Sequence, residues 1–82
     1  MPNPLRPVAL VTGGSRGIGA ATALALADAG YDVIITYRNK AARAEEVAAA
    51  LRERGAAALA IGADITVPAD LVRLFAAVQQ WH

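Results

Sequence analysis

Along this chain, short unbroken apolar runs alternate with longer stretches in which apolar residues recur every three or four positions. Val8-Ala9-Leu10-Val11-Thr12, bounded by Pro7 and Gly13, has the pattern of a strand covered on both faces of a parallel sheet. From Gly17 to Ala29 the residues are mostly Ala and Leu, and Gly30 follows; strong helix formers ending at a glycine predict a first helix. Asp32 then leads into Val33-Ile34-Ile35-Thr36-Tyr37, a β-branched run with an aromatic end that suits a second buried strand. Ala44, Val47, Ala48 and Leu51 fall at i, i+3, i+4 and i+7 while Arg43, Glu45, Glu46, Arg52 and Glu53 point elsewhere, which predicts an amphipathic helix ending at Gly55. Ala57 to Gly62, with Leu59 and Ile61 alternating, reads as a third strand, followed by the polar corner Ala63-Asp64-Ile65-Thr66. Pro68 opens a last helix, and its stripe of Leu71, Leu74, Phe75 and Val78, continued by Trp81, is expected to pack in the core.

The order is βαβαβα with short connections, which implies right-handed crossovers and a parallel sheet with helices on its faces. A three-strand half-sheet of this kind normally continues from the side of its first strand, and here the sequence stops at His82. With 82 residues the chain is one domain at most, burying roughly 60 to 65% of its unfolded surface, so its stability margin is thin. Residues 1–6, with Pro2 and Pro4, read as a loose leader without the apolar stretch of a signal peptide, and residues 7–82 as the folded part. Arg16, Asp28 and Asp32 interrupt the longest apolar candidate, so no membrane span is expected. The formal charge of +1, without a basic stripe, argues against a nucleic-acid partner. Cysteine is absent, which excludes disulfides and thiolate metal sites and fits a cytoplasmic location.

The candidate chemistry lies in Gly13-Gly14-Ser15-Arg16-Gly17-Ile18-Gly19. Taken alone, such glycines are weak evidence, a helix-capping turn being the plain alternative. Here they follow a predicted strand, open a predicted helix and precede the end of the second strand by about 20 residues, the layout in which a dinucleotide's pyrophosphate sits on exposed N–H groups at a helix start. No Lys-Ser or Lys-Thr pair follows the last glycine, so a P-loop is excluded. At the end of the second strand, where NAD-preferring folds place a carboxylate for the ribose 2′-hydroxyl, the chain has Tyr37-Arg38-Asn39. Arg38 and Arg16 either pair with a 2′-phosphate through charge-assisted contacts, which favours NADP, or are ordinary solvated loop charges. Asp64 and Ile65 lie just past the third strand; Asp64 serves either as an acceptor for an adenine amino group or as a turn and cap residue.

No catalytic constellation is visible. Ser15 and His82 are the single serine and histidine, at opposite ends of the fold, and no Cys, His or carboxylate cluster builds a nucleophile pair or a metal site.

Thr12-Gly13-Gly14-Ser15-Arg16-Gly17-Ile18-Gly19 resembles the TGxxxGIG cofactor motif of the short-chain dehydrogenase/reductase family. From about Pro7 onward the chain is similar to that family's N-terminal layout, and its overall look is that of the 3-oxoacyl carrier-protein reductase type. The resemblance implies the N-terminal βαβαβα half of a Rossmann-type doubly wound sheet, three-layered α/β/α in the complete family fold, and thus a partial NADP-binding domain. Tyr37-Arg38-Asn39 resembles the NADP-preferring branch, and Ala63-Asp64-Ile65 the family's adenine contact. Family members run to roughly 250 residues and carry an Asn-Asn-Ala-Gly stretch, a serine and a Tyr-x-x-x-Lys pair downstream, none of which occurs here. What is implied is a parent oxidoreductase that passes hydride between NADPH and a carbonyl or alcohol substrate, homo-oligomeric when complete, in which Gly13, Ser15, Arg16, Gly17, Ile18 and Gly19 form the cofactor turn. The alternative is a non-catalytic nucleotide-binding or interaction module completed by a partner chain.

Overall fold

A computed structural model describes residues 6–13 and 17–81. Three strands, β1 (Val8–Val11), β2 (Asp32–Tyr37) and β3 (Ala58–Gly62), alternate with three helices, α1 (Gly17–Asp28), α2 (Ala41–Glu53) and α3 (Pro68–Trp81). The strands form one parallel sheet in the order β1-β2-β3. Val8 to Val11 stand opposite Asp32 to Ile35, and Val33 to Tyr37 stand opposite Ala58 to Gly62. The α/β architecture expected of this alternation is therefore present, with β2 in the middle.

The central strand carries the burial. Val33, Ile34 and Ile35 are completely inaccessible to solvent, and each such side chain contributes about 1.5 to 3 kcal/mol relative to exposure. Because strand side chains alternate, Val33 and Ile35 face one side, where they join Ala23 and Ala27 of α1 and Ala44, Ala48 and Leu51 of α2 in a single core. The small helix residues allow both helices to lie close to the sheet and to each other. Ile34 faces the other side, and Leu74 is the buried residue of α3.

Two expectations about burial are corrected. The first strand is not covered on both faces: Leu10 is 37% exposed, because β1 lies at the sheet edge and among the described residues pairs only with β2. Phe75 does not enter the core either, being 56% exposed. The apolar stripe of α3 is wider than the surface that three strands offer it, and Leu74 alone takes the buried position.

At the N-terminal end of the sheet, Asp32 acts as a junction. Arg6 Nε donates to Asp32 Oδ1 at 2.9 Å, the Ala57 N–H donates to the same oxygen at 2.9 Å, and the Asp32 N–H donates to the Pro7 carbonyl. Arg6 Nη2 also donates to the Tyr31 carbonyl at 2.9 Å. Residues 1–5 of the expected leader lie outside the described residues, whereas Arg6 is tied to the α1–β2 turn. No described helix is long and apolar enough to cross a membrane.

Candidate nucleotide-binding site

Parallel pairing sends all three strands out at one edge, so Gly13, Arg38 and Asp64, far apart in sequence, emerge side by side beyond β1, β2 and β3. This is the carboxyl edge at which open α/β sheets bind ligands. Gly13 and Gly17 have φ of 68° and 62°, a left-handed backbone that side-chain-bearing residues rarely adopt. A Cβ on either would meet no atom within 4 Å, so the requirement for glycine comes from backbone shape, and the space beside both is open. Gly17 begins α1, placing a helix N-terminus at this edge. Ser15 and Arg16 lie outside the described residues. Ile18 is 87% exposed in the first turn of α1, and Gly19 is half-buried.

The glycine turn is tied to the second strand through a residue that the sequence pattern treats only as part of a buried strand. The N–H of Gly13 donates to Thr36 Oγ1 at 3.1 Å, and Thr36 is buried. Together with Tyr37, Arg38, Ala63 and Ile65, these two residues line a cleft of about 100 Å³. Tyr37 is half-buried against the core, and its ring lies over Gly62, where an added Cβ would come within 3.2 Å of the ring atoms.

Beside the cleft, Arg38 Nη2 stands 3.4 Å from Asp64 Oδ2. Arg38 is largely exposed, whereas Asp64 is held from three directions. Its N–H donates to Asp70 Oδ2 at 2.8 Å, and its Oδ1 accepts from the Thr66 N–H at 3.0 Å and from Thr66 Oγ1 at 2.6 Å. These two bonds, with a smaller contribution from Arg38, lower the Asp64 carboxyl below its ordinary value. Asp64 thus has the turn-forming partners of one of its two expected roles, and Ile65 lines the cleft.

Beyond Asn39 a wider groove of about 460 Å³ continues along Lys40, Arg43 and Glu46. Lys40 precedes α2, whose first turn holds no acidic residue and whose start has no side-chain cap. Arg38 and Asn39 are both exposed at this edge.

Known proteins share both the sequence and the fold of this chain. The family model described as short chain dehydrogenase matches residues 7–82. The chain belongs to the short-chain dehydrogenase family. It is 45% identical over 73 residues to the uncharacterized oxidoreductase YgfF of Escherichia coli, covering 89% of this chain and 30% of that protein. Among solved structures of short-chain dehydrogenases, one from Burkholderia cenocepacia in complex with NADP superposes with a TM-score of 0.84 at 45% identity, over 92% of this chain and 30% of that one. Another, from Sphingobium yanoikuyae in complex with NADPH, gives a TM-score of 0.74 at 46% identity, over 82% and 26%. The chain spans about 30% or less of the length of these proteins.

Proposed function

We propose that this chain is the NADP(H)-binding N-terminal segment of a short-chain dehydrogenase/reductase that transfers hydride between NADPH and a carbonyl or alcohol substrate. The observation that carries the reading is Arg38: the residue that follows β2 at the carboxyl edge is a guanidinium, where a 2′-hydroxyl-reading fold needs a carboxylate. The NADP and NADPH complexes of the Burkholderia and Sphingobium relatives support it.

The residues present fit such a cofactor. Gly13 and Gly17 leave open space at their Cα positions, so a pyrophosphate has room to approach the main chain there, with Ser15, Arg16, Ile18 and Gly19 as its further proposed contacts. Arg38 and Asn39 would meet the 2′-phosphate, Ile65 and Asp64 the adenine, and Tyr37 would brace the strand end against Gly62. The cofactor, when bound, supplies the hydride. The described residues bind and orient its adenosine half; the proton-transfer groups of the family belong to positions beyond this segment.

The test is Arg38→Asp in the full chain, with NADPH and NADH affinities measured by fluorescence titration. The substitution removes the phosphate's cation and supplies a hydroxyl acceptor, so NADPH affinity falls by at least about tenfold, the scale of one charge-assisted bond, while NADH affinity holds or improves. An unchanged ratio would refute the assignment.

The unpaired outer edge of β1 among the described residues, with Leu10 partly exposed beside it, favours one second reading: a non-catalytic nucleotide-binding module to which a partner chain adds strands. NADPH binding by the full chain, with carbonyl reduction appearing only when a second polypeptide is added, would select it.

A further inference from the structure

We propose that Asp64 is a specificity-determining residue that tempers the preference for NADP over NAD by holding part of the Arg38 charge, so that discrimination at the 2′ position belongs to the Arg38–Asp64 pair. The inference rests on the reading of Arg38 as the partner of a 2′-phosphate. Asp64 is the fixed member of the pair: its N–H is engaged by Asp70 Oδ2, and its Oδ1 is engaged twice by Thr66. Asp70 is in turn 3.5 Å from Arg73 Nη2, which also donates to the Gly62 carbonyl at 2.7 Å. The corner after β3 is therefore braced from α3, and Asp64 Oδ2 is left facing Arg38 at 3.4 Å.

Arg38 is the adaptable member, with a side chain 71% exposed. One Nη faces the carboxylate, and Nε and the other Nη remain for a phosphate. Thr66 holds the Asp64 carboxyl below its ordinary value, so the negative charge persists across the neutral range. A doubly charged phosphate approaching the guanidinium meets a fixed like charge within a few ångströms, whereas a ribose hydroxyl does not. The carboxylate therefore opposes the phosphorylated cofactor selectively. Among the described residues, Arg38 is the cation paired with Asp64.

The adenine contact of Asp64 and its two possible effects on Arg38, orienting it or offsetting its charge, make different predictions. An acceptor for the adenine amino group supports both cofactors equally, because both carry adenine. A residue that merely orients Arg38 supports NADPH more than NADH. The charge-offset role does the reverse of the second.

The experiment uses the full chain with Asp64→Asn, which retains an acceptor for Thr66, and with Asp64→Ser as a second variant whose hydroxyl can also cap the turn. NADPH and NADH dissociation constants are measured by fluorescence titration at low and high salt. The expected result is NADPH bound roughly two- to fivefold tighter, the range of an exposed charge pair, with NADH changed less and the difference shrinking as salt rises. Equal weakening of both cofactors, selective weakening of NADPH, or an unchanged ratio would each overturn the proposal. Failure of the unaltered chain to bind either cofactor would instead remove the reading of Arg38 beneath it.

Discussion

The main-chain N–H of Gly13 donates to the hydroxyl of Thr36, joining the glycine turn after β1 to the last buried residue of β2. Thr36→Val keeps the shape and removes the acceptor. Stability is expected to fall by about 1 kcal/mol, the net value of one such bond, while NADPH affinity falls several-fold because the turn loses its tether. Thr36→Ser restores the oxygen and should recover both. Urea unfolding beside cofactor titration reads the two effects, and a valine variant that binds as tightly as the unaltered chain would show that the turn holds its shape unaided.

Gly17→Ala isolates the backbone cost. With φ at 62° and no neighbour within 4 Å of an added methyl, the folded chain loses only the left-handed preference, about 1 to 2 kcal/mol. The methyl also enters the space reserved for a ligand, so NADPH binding should weaken by more than the stability change accounts for. Gly62→Ala makes the converse case: its methyl would sit 3.2 Å from the Tyr37 ring and should displace that ring, visible as a shifted Tyr37 ring resonance. Equal losses of stability and affinity in Gly17→Ala would mean that no ligand approaches there.

Asp32→Ala should cost about 2 to 4 kcal/mol, since a side chain 1% exposed is lost while the Arg6 guanidinium and the Ala57 N–H lose their common acceptor. Asp32→Asn keeps an acceptor and should cost less. Because Asp32 lies at the opposite end of the sheet from the glycine turn, the ratio of NADPH to NADH affinity should not change. A calorimetric melt of both variants checks the order.

Acid provides a fourth test. The folded-state value of Asp64 is lowered by its bonds to Thr66, so between that value and the ordinary aspartate value of about 3.9 the unfolded chain binds more protons than the folded one. Its contribution is complete above the ordinary value and is lost as pH falls through the lower folded value. Carboxyl NMR titration should show Asp64 protonating below the usual aspartate range, and Thr66→Val should bring it back toward that range. A titration of Asp64 at its ordinary value would contradict the Thr66 geometry.

The elements were legible because their signals are local. The β-branched run of β2 and the i, i+3, i+4 spacing of α2 each lie within a dozen residues, and the observed boundaries fall within a few residues of the expected ones. The exposure of Leu10 and Phe75 was not legible, because an apolar pattern says what a side chain prefers and not whether enough surface exists to cover it. For the candidate site, the gathering of Gly13, Tyr37, Arg38 and Ile65 at one edge follows from parallel topology alone. The bond from Gly13 to Thr36 and the pair Arg38–Asp64 depend on register, on Val11 standing opposite Ile35 and Tyr37 opposite Gly62. Register is a property of two strands at once. The junction at Asp32 was hidden for the same reason, since its partners Arg6 and Ala57 lie 26 and 25 residues away.

The register of three parallel strands also bears on how the molecule matures. Neighbouring strands are joined only through a helical crossover, so no hairpin-sized fragment contains two walls of the cleft between Gly13, Thr36 and Ile65, and the long loops must close before any of it exists. A dinucleotide that recognises those walls can therefore select only molecules whose strands have already assembled, and by mass action it draws nascent or damaged copies toward that assembled form.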